Sequence, residues 1–212
     1  MPKEYEYRFN SYSSERGYNK KEIIRKLKEL GAKYFGTFKF RVMVFTDQNN
    51  SEKYIRIRDE GHRVTMTIKN NLTDKFPIEN EVIINDYDEG VNIFLQLNCK
   101  KKYYYEKYRE IWNYKNSEII FDMNPGIPEL MEVESSSKKE LDILCKKLEL
   151  NITNYKGFAN SVTYNDVFGI SVDPKTLNLT FKSALKELKP TKNKEEFVKL
   201  VKMQIKEYKK LK

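Results

Sequence analysis

The sequence predicts an α+β chain whose strongly curved antiparallel sheet carries helices on its apolar side. Three observations lead there. Short stretches of alternating character follow one another at hairpin spacing, and helix-spaced apolar runs interrupt and follow them. The strands also carry paired acids or paired bases on the face opposite their apolar residues. The stretch "KEYEYRF", residues 3–9, sets the pattern. Extended, it puts Glu4, Glu6 and Arg8 on one side and Tyr5, Tyr7 and Phe9 on the other.

The elements follow in order. "YNKKEIIRKLKELGAK" spaces Ile23, Ile24, Leu27 and Leu30 as one helix face, with Gly31 placed to end it. "KYFGTFKFRVMVF" reads as a strand with a bend at Gly36. "KYIRIRDEGHRVTMTIKN" is a hairpin turning at Glu60–Gly61. Its first arm sets Arg56 and Arg58 against Ile55 and Ile57; its second sets Thr65, Thr67 and Lys69 against Val64, Met66 and Ile68. "FPIENEVIIN" gives a strand carrying Glu79 and Glu81, with Pro77 near its start, and "YDEGVNIFLQLN" a helix despite Gly90. Two strands joined at Lys115–Ser117 bring Lys107 and Arg109 in step. "ELMEVESS" pairs Glu132 and Glu134 against Met131 and Val133, and "SKKELDILCKKLEL" spaces Leu141, Leu144 and Leu148 as a helix. Beyond it, "SVTYNDVFGI", "LTFKSALKELK" and "NKEEFVKLVKMQIKEYKK" read as helices around loops. The organisation expected is a sheet domain over residues 1–170 and a helical C-terminal extension over 171–212 packed on it.

Composition narrows the function. The chain has 212 residues, enough for one large domain, with fifteen tyrosines and twelve phenylalanines to fill a core. Forty Lys and Arg against 31 Asp and Glu leave a formal charge of +9, which favours anionic partners without choosing among them. Cys99, Cys145 and the single His62 cannot make the familiar zinc sets, and His62 falls in a turn. There is no glycine-rich phosphate loop, which excludes that class of nucleotide hydrolase. With no signal peptide or long apolar run, a cytoplasmic protein with no membrane partner is expected.

An antiparallel sheet wetted on one side would explain each charged stripe separately. Taken together, the acidic and basic pairs suit a cavity for a metal-bound polyanion. Carboxylates hold hard cations such as Mg²⁺ or Mn²⁺, and arginine and lysine hold phosphate oxygens. Phosphoryl transfer asks mainly for that neutralisation and alignment.

In that order "EYEYR", "KKEIIRKLKELGA", "YIRIRDEG", "VTMTIK", "ENEV", "KYREIW", "IIFDM" and "ELMEVE" resemble the CYTH family, the triphosphate tunnel metalloenzymes, from Glu4 to about Phe168. The family includes triphosphatases and class IV adenylate cyclases. The resemblance implies an eight-stranded antiparallel closed barrel, the tunnel, with flanking helices. It implies hydrolysis of a linear triphosphate, inorganic or carried on an organic group, a nucleoside or an RNA 5′ end. It further implies metal at Glu4, Glu6, Asp122, Glu132 and Glu134, and triphosphate at Arg56, Arg58, Lys69, Lys107 and Arg109. Catalytic positions fall at Glu4, Glu6, Arg8, Lys69 and Glu81, with Glu79 also in the cavity. Arg8 stands where the family's "ExExK" motif ends in lysine. Phe40, Val42 and Val44 replace the Gln, Asp and Tyr of the cyclase-like "QxDxYF", which argues against cyclisation of ATP. A polyphosphate- or RNA-binding module without turnover is the rival outside enzymes, and the acidic pairs speak against it.

Overall fold

A computed structural model describes residues 5–12, 17–47, 53–70, 78–152, 160–171 and 178–211. Strands β1 (Tyr5–Asn10), β2 (Lys33–Thr46), β3 (Tyr54–Asp59), β4 (Val64–Asn70), β5 (Ile78–Ile84), β6 (Lys100–Tyr114), β7 (Ser117–Met123) and β8 (Leu130–Ser135) form one sheet. Their order is β1-β8-β7-β6-β2-β3-β4-β5, every pair antiparallel. A two-residue strand, β9 (Asn178–Leu179), adds to β6 in parallel at Tyr104 and Tyr105. The sequence had shown only a helix there.

The sheet does not close, which corrects the expected eight-stranded barrel. Among the described residues β1 pairs only with β8 and β5 only with β4, leaving both as edges of a curled half-barrel. A period of two fixes which face a side chain takes, and that is the same in an open sheet and a closed one. Closure was therefore supplied by the resemblance and not by the residues. Both edge strands point charges inward, Glu6 and Arg8 on one and Glu79 and Glu81 on the other, a common means of discouraging edge-to-edge pairing.

Helices cover the convex side. α1 (Lys20–Glu29) starts at Asn19, whose side chain accepts from the Lys21 and Glu22 N–H groups, and ends before Gly31 in the left-handed region (φ 79°). With α3 (Lys138–Lys147) it buries Ile23, Leu27, Leu141 and Leu144 against Phe9, Phe121, Met131 and Val133. α2 (Tyr87–Gln96) lays Val91 and Phe94 on Phe45, Ile55 and Ile57. Gly90 lies where a Cβ would meet Ile84 Cδ1 at 2.5 Å, so the glycine sets how closely this helix sits on the sheet.

The C-terminal part, α4 (Asn160–Phe168), α5 (Ala184–Glu187) and α6 (Lys194–Lys210), packs Phe168, Leu188, Phe197 and Val201 on Ile127 and Leu130. Gln204, fully buried on α6, accepts from the Gly126 N–H at 2.8 Å and donates to the Asn124 and Ile127 carbonyls at 3.0 and 2.8 Å. One amide thus satisfies the backbone of the β7–β8 connection and ties the last helix to the sheet. No described helix is long and apolar enough to cross a membrane.

Candidate functional site

The curl turns the charged face inward around a cavity of about 1510 Å³, to which each of the strands β1 to β8 contributes lining residues. Register builds its walls. On β1 and β8, Glu6 lies opposite Glu134 and Arg8 opposite Glu132. Carboxylate oxygens of Glu6, Glu132 and Glu134 all lie within 4.8 Å of one another. Arg8 bridges this group, with Nε 2.9 Å from Glu132 and Nη2 3.4 Å from Glu6. Glu4, expected in the same set, falls outside the described residues.

Three adjacent strands form the floor. Arg109 on β6 grips Asp122 on β7 through Nε to Oδ1 at 2.7 Å and Nη2 to Oδ2 at 2.6 Å. Lys107 shares Oδ2 at 2.6 Å, and Arg109 reaches Glu132 at 2.8 Å, linking floor to acid wall. Both oxygens of Asp122 are therefore taken by cations, and it stands apart from the group of three acids. Phe40 on β2, 1% exposed, lies beneath, its ring centre 5.3 Å from Lys107 Nζ and 5.5 and 5.7 Å from the guanidinium carbons of Arg109 and Arg58.

The far wall alternates cations and acids. Arg56 on β3 pairs with Glu79 at 3.0 Å and donates to Thr67 at 3.2 Å; Lys69 pairs with Glu79 at 2.5 Å. Arg58 meets Glu60 at 2.5 Å and Glu81 at 3.3 Å. Its Nε is buried with no hydrogen-bond acceptor. A buried guanidinium with an unspent donor invites a further anion.

Electrostatics point the same way. Burial, with Arg56 and Arg109 nearby, pushes the Arg58 guanidinium down despite Glu60 and Glu81. Burial and Arg109 push the Lys107 ammonium down to about 8, against the pull of Asp122 and Glu132. Burial alone would raise the Asp122 carboxyl, but Arg109 and Lys107 outweigh it and hold it well below the usual carboxylate range. Arg8 and Arg109 likewise lower Glu132 against its burial. Arg109, by contrast, is pushed up despite its burial by Asp122 and Glu132, so the acids around the floor stay ionised while Arg58 and Lys107 remain short of compensating charge.

A pH dependence follows. Lys107 carries its charge below about pH 8 and loses it above. If it binds phosphate, kcat/KM for a triphosphate should decline as pH rises through that value, since that ratio reports the free protein. Lys107→Arg, charged throughout, should carry the plateau at least about one pH unit further into alkali. Identical alkaline limbs would take Lys107 out of the binding set.

Three cavity groups escaped the sequence reading. Glu60 follows Asp59 past the last in-register residue of β3, where alternation no longer assigns a face; it is 2% exposed and also pairs with Arg63. Glu118 lies opposite Glu134, on the face of Asp122 by simple alternation along "SEIIFD", a signal that was present. His62 stays in its turn but stacks on Phe38 at 4.4 Å and Phe35 at 5.3 Å. Phe35 is the extra residue of a β-bulge between Tyr34 and Gly36, which alternation cannot foresee.

Comparison with known proteins agrees with this architecture. PH1012 protein from Pyrococcus horikoshii OT3 superposes with a TM-score of 0.58 at 22% identity, over 72% of this chain and 94% of that one. PH1819 protein from the same organism gives 0.51 at 24%, over 69% and 86%. A Vibrio parahaemolyticus protein provisionally named an adenylate cyclase gives 0.61 at 11%, over 74% and 95%. At such identities the likeness is one of fold. No curated protein sequence matches. The family model described as the CYTH domain matches residues 2–163, most of the chain and all eight antiparallel strands, β1 to β8. The chain belongs to the CYTH domain family.

Proposed function

We propose that the protein is a divalent-metal-dependent triphosphatase acting on a linear triphosphate. One observation carries the reading: three clustered carboxylates share one cavity with a set of buried cations, among which Arg58 has a donor to spare. Glu6, Glu132 and Glu134 would hold Mg²⁺ or Mn²⁺, for which an all-oxygen donor set is suited, with Glu4 of the same motif as a further ligand. The metal would supply charge neutralisation at phosphate oxygens and acidify a bound water. Arg56, Arg58, Lys69, Lys107 and Arg109 bind phosphate oxygens and stabilise the charge that spreads over them as the anhydride bond breaks. Arg8, already between Glu6 and Glu132, compensates the acid wall and can turn to the substrate. Glu79 and Glu81 hold Arg56, Arg58 and Lys69 in place while the cavity is empty. Asp122 serves the floor by fixing Lys107 and Arg109, a positioning part in place of metal ligation.

Cyclisation of ATP needs polar groups for base and ribose. Phe40, Val42 and Val44 give β2 an apolar inner face instead, all three buried. Product analysis with Mg²⁺ or Mn²⁺ separates the readings over tripolyphosphate, thiamine triphosphate, nucleoside triphosphates and 5′-triphosphorylated RNA. Orthophosphate from at least one of them supports hydrolysis. Cyclic nucleotide with pyrophosphate would replace it with cyclisation, and tight binding without any product would leave a binding module.

A further inference from the structure

Phe40 stands out among the residues the proposed chemistry does not use. Its ring is almost fully buried at the centre of the floor, with three cations from two other strands gathered around it. Arg58 comes from β3; Lys107 and Arg109 come from β6, on the other side of β2. Each cation also pairs with an acid: Glu60 for Arg58, Asp122 for Lys107, and Asp122 with Glu132 for Arg109.

We propose that Phe40 is a positioning residue for the triphosphatase reaction, its ring gathering Arg58, Lys107 and Arg109 into one phosphate-binding array. The reason lies in what a ring can and cannot do. Three like charges this close repel one another, and their acids hold them at two separate points, Arg58 at Glu60 and Lys107 with Arg109 at Asp122. The ring's π-electrons attract all three toward it. A carboxylate in its place would do so too, but it would cancel the charge a triphosphate must meet and occupy N–H donors. The ring carries no net charge and accepts no conventional hydrogen bond, so donors such as Arg58 Nε stay unspent. The array is then held together before the substrate arrives, which lowers the cost of binding it.

This rests on the triphosphatase reading, so the test measures binding as well as turnover. Phe40 is replaced by mono-, di- and trifluorinated phenylalanine, which keep the ring's shape while draining its face of negative charge, and by leucine. Tripolyphosphate affinity is read by calorimetry in the presence of Mn²⁺ and chain stability by thermal melting, alongside KM and kcat. Affinity should fall stepwise with fluorine count, reaching about a ten-fold loss for Phe40→Leu, while Mn²⁺ affinity and melting of the fluorinated chains stay near those of the unsubstituted protein. KM should follow the binding series more than kcat does. Equal affinity across the fluorinated series would overturn the inference and leave Phe40 a packing residue, whatever leucine does. If the unsubstituted protein binds tripolyphosphate but hydrolyses nothing, the triphosphatase reading fails, and the fluorine series still decides whether the ring organises the cations.

Discussion

Replacing Glu6 and Glu134 together by glutamine should abolish most metal-dependent turnover and leave the fold intact. The two residues lie opposite each other on β1 and β8, and with Glu132 they bring three carboxylates within 4.8 Å. Amides keep the shape but are poor partners for a hard cation. Losing roughly 3–4 kcal/mol of metal-derived stabilisation in the transition state corresponds to about a 10²–10³-fold fall in kcat/KM. Folding should scarcely notice, because both side chains face the cavity while Tyr5, Tyr7, Val133 and Ser135 make the strands' other contacts. Removing two negative charges from a crowded group also relieves repulsion. Melting within a few degrees of the parent, weakened Mn²⁺ binding and a collapsed rate are the expected combination. Normal turnover in the folded double variant would remove these acids from the reaction.

Asp122→Asn should behave in the opposite manner, costing stability first. The residue is 3% exposed and its carboxylate is shared by Lys107 and Arg109, so the amide leaves buried Lys107 without its counter-charge and Arg109 with Glu132 alone. Breaking a buried pair from one side costs about 3–5 kcal/mol, a large part of a domain's stability. The linkage has a definite sign. Asp122 is depressed in the folded protein, so its contribution is fully present above its unfolded value near about 4 and drains away as pH falls below it. Denaturation by urea should therefore show a parent protein that loses stability on acidification below about pH 4, and a variant that is weaker at neutral pH with less acid dependence of its own. Mn²⁺ affinity near normal in the variant would fit a positioning role; its loss with stability unchanged would make Asp122 a metal ligand instead.

These three acids also mark where the sequence was informative. Alternation fixes a side chain's face wherever a strand is regular. It therefore sets Glu6, Arg56, Arg58, Lys69, Glu79, Glu81, Lys107, Arg109, Glu132 and Glu134 on one surface, the surface that curls inward. It says nothing about which neighbour each charge will choose. Asp122 shares that face, yet its partners are decided by β6 lying beside β7 with Arg109 directly opposite. Closure was illegible for the same reason, since an edge strand and an interior strand carry the same period. Phe35, displaced by a bulge, and Glu60, just past a strand end, lay where the period itself breaks. The family resemblance supplied order and chemistry at once, and it overreached in predicting a ring of strands where the chain forms an open curl.

The central claim is that one cavity joins a metal wall to a triphosphate floor, so that each ligand favours the other. Measuring tripolyphosphate binding by rapid mixing, with and without saturating Mn²⁺ and on a timescale shorter than one turnover, tests it directly. Coupling of binding is reciprocal and commonly amounts to about 1–3 kcal/mol, so Mn²⁺ should tighten tripolyphosphate at least about five-fold, and Glu6→Gln with Glu134→Gln should erase that gain. Equal tripolyphosphate affinity with and without metal in the parent protein would contradict the account.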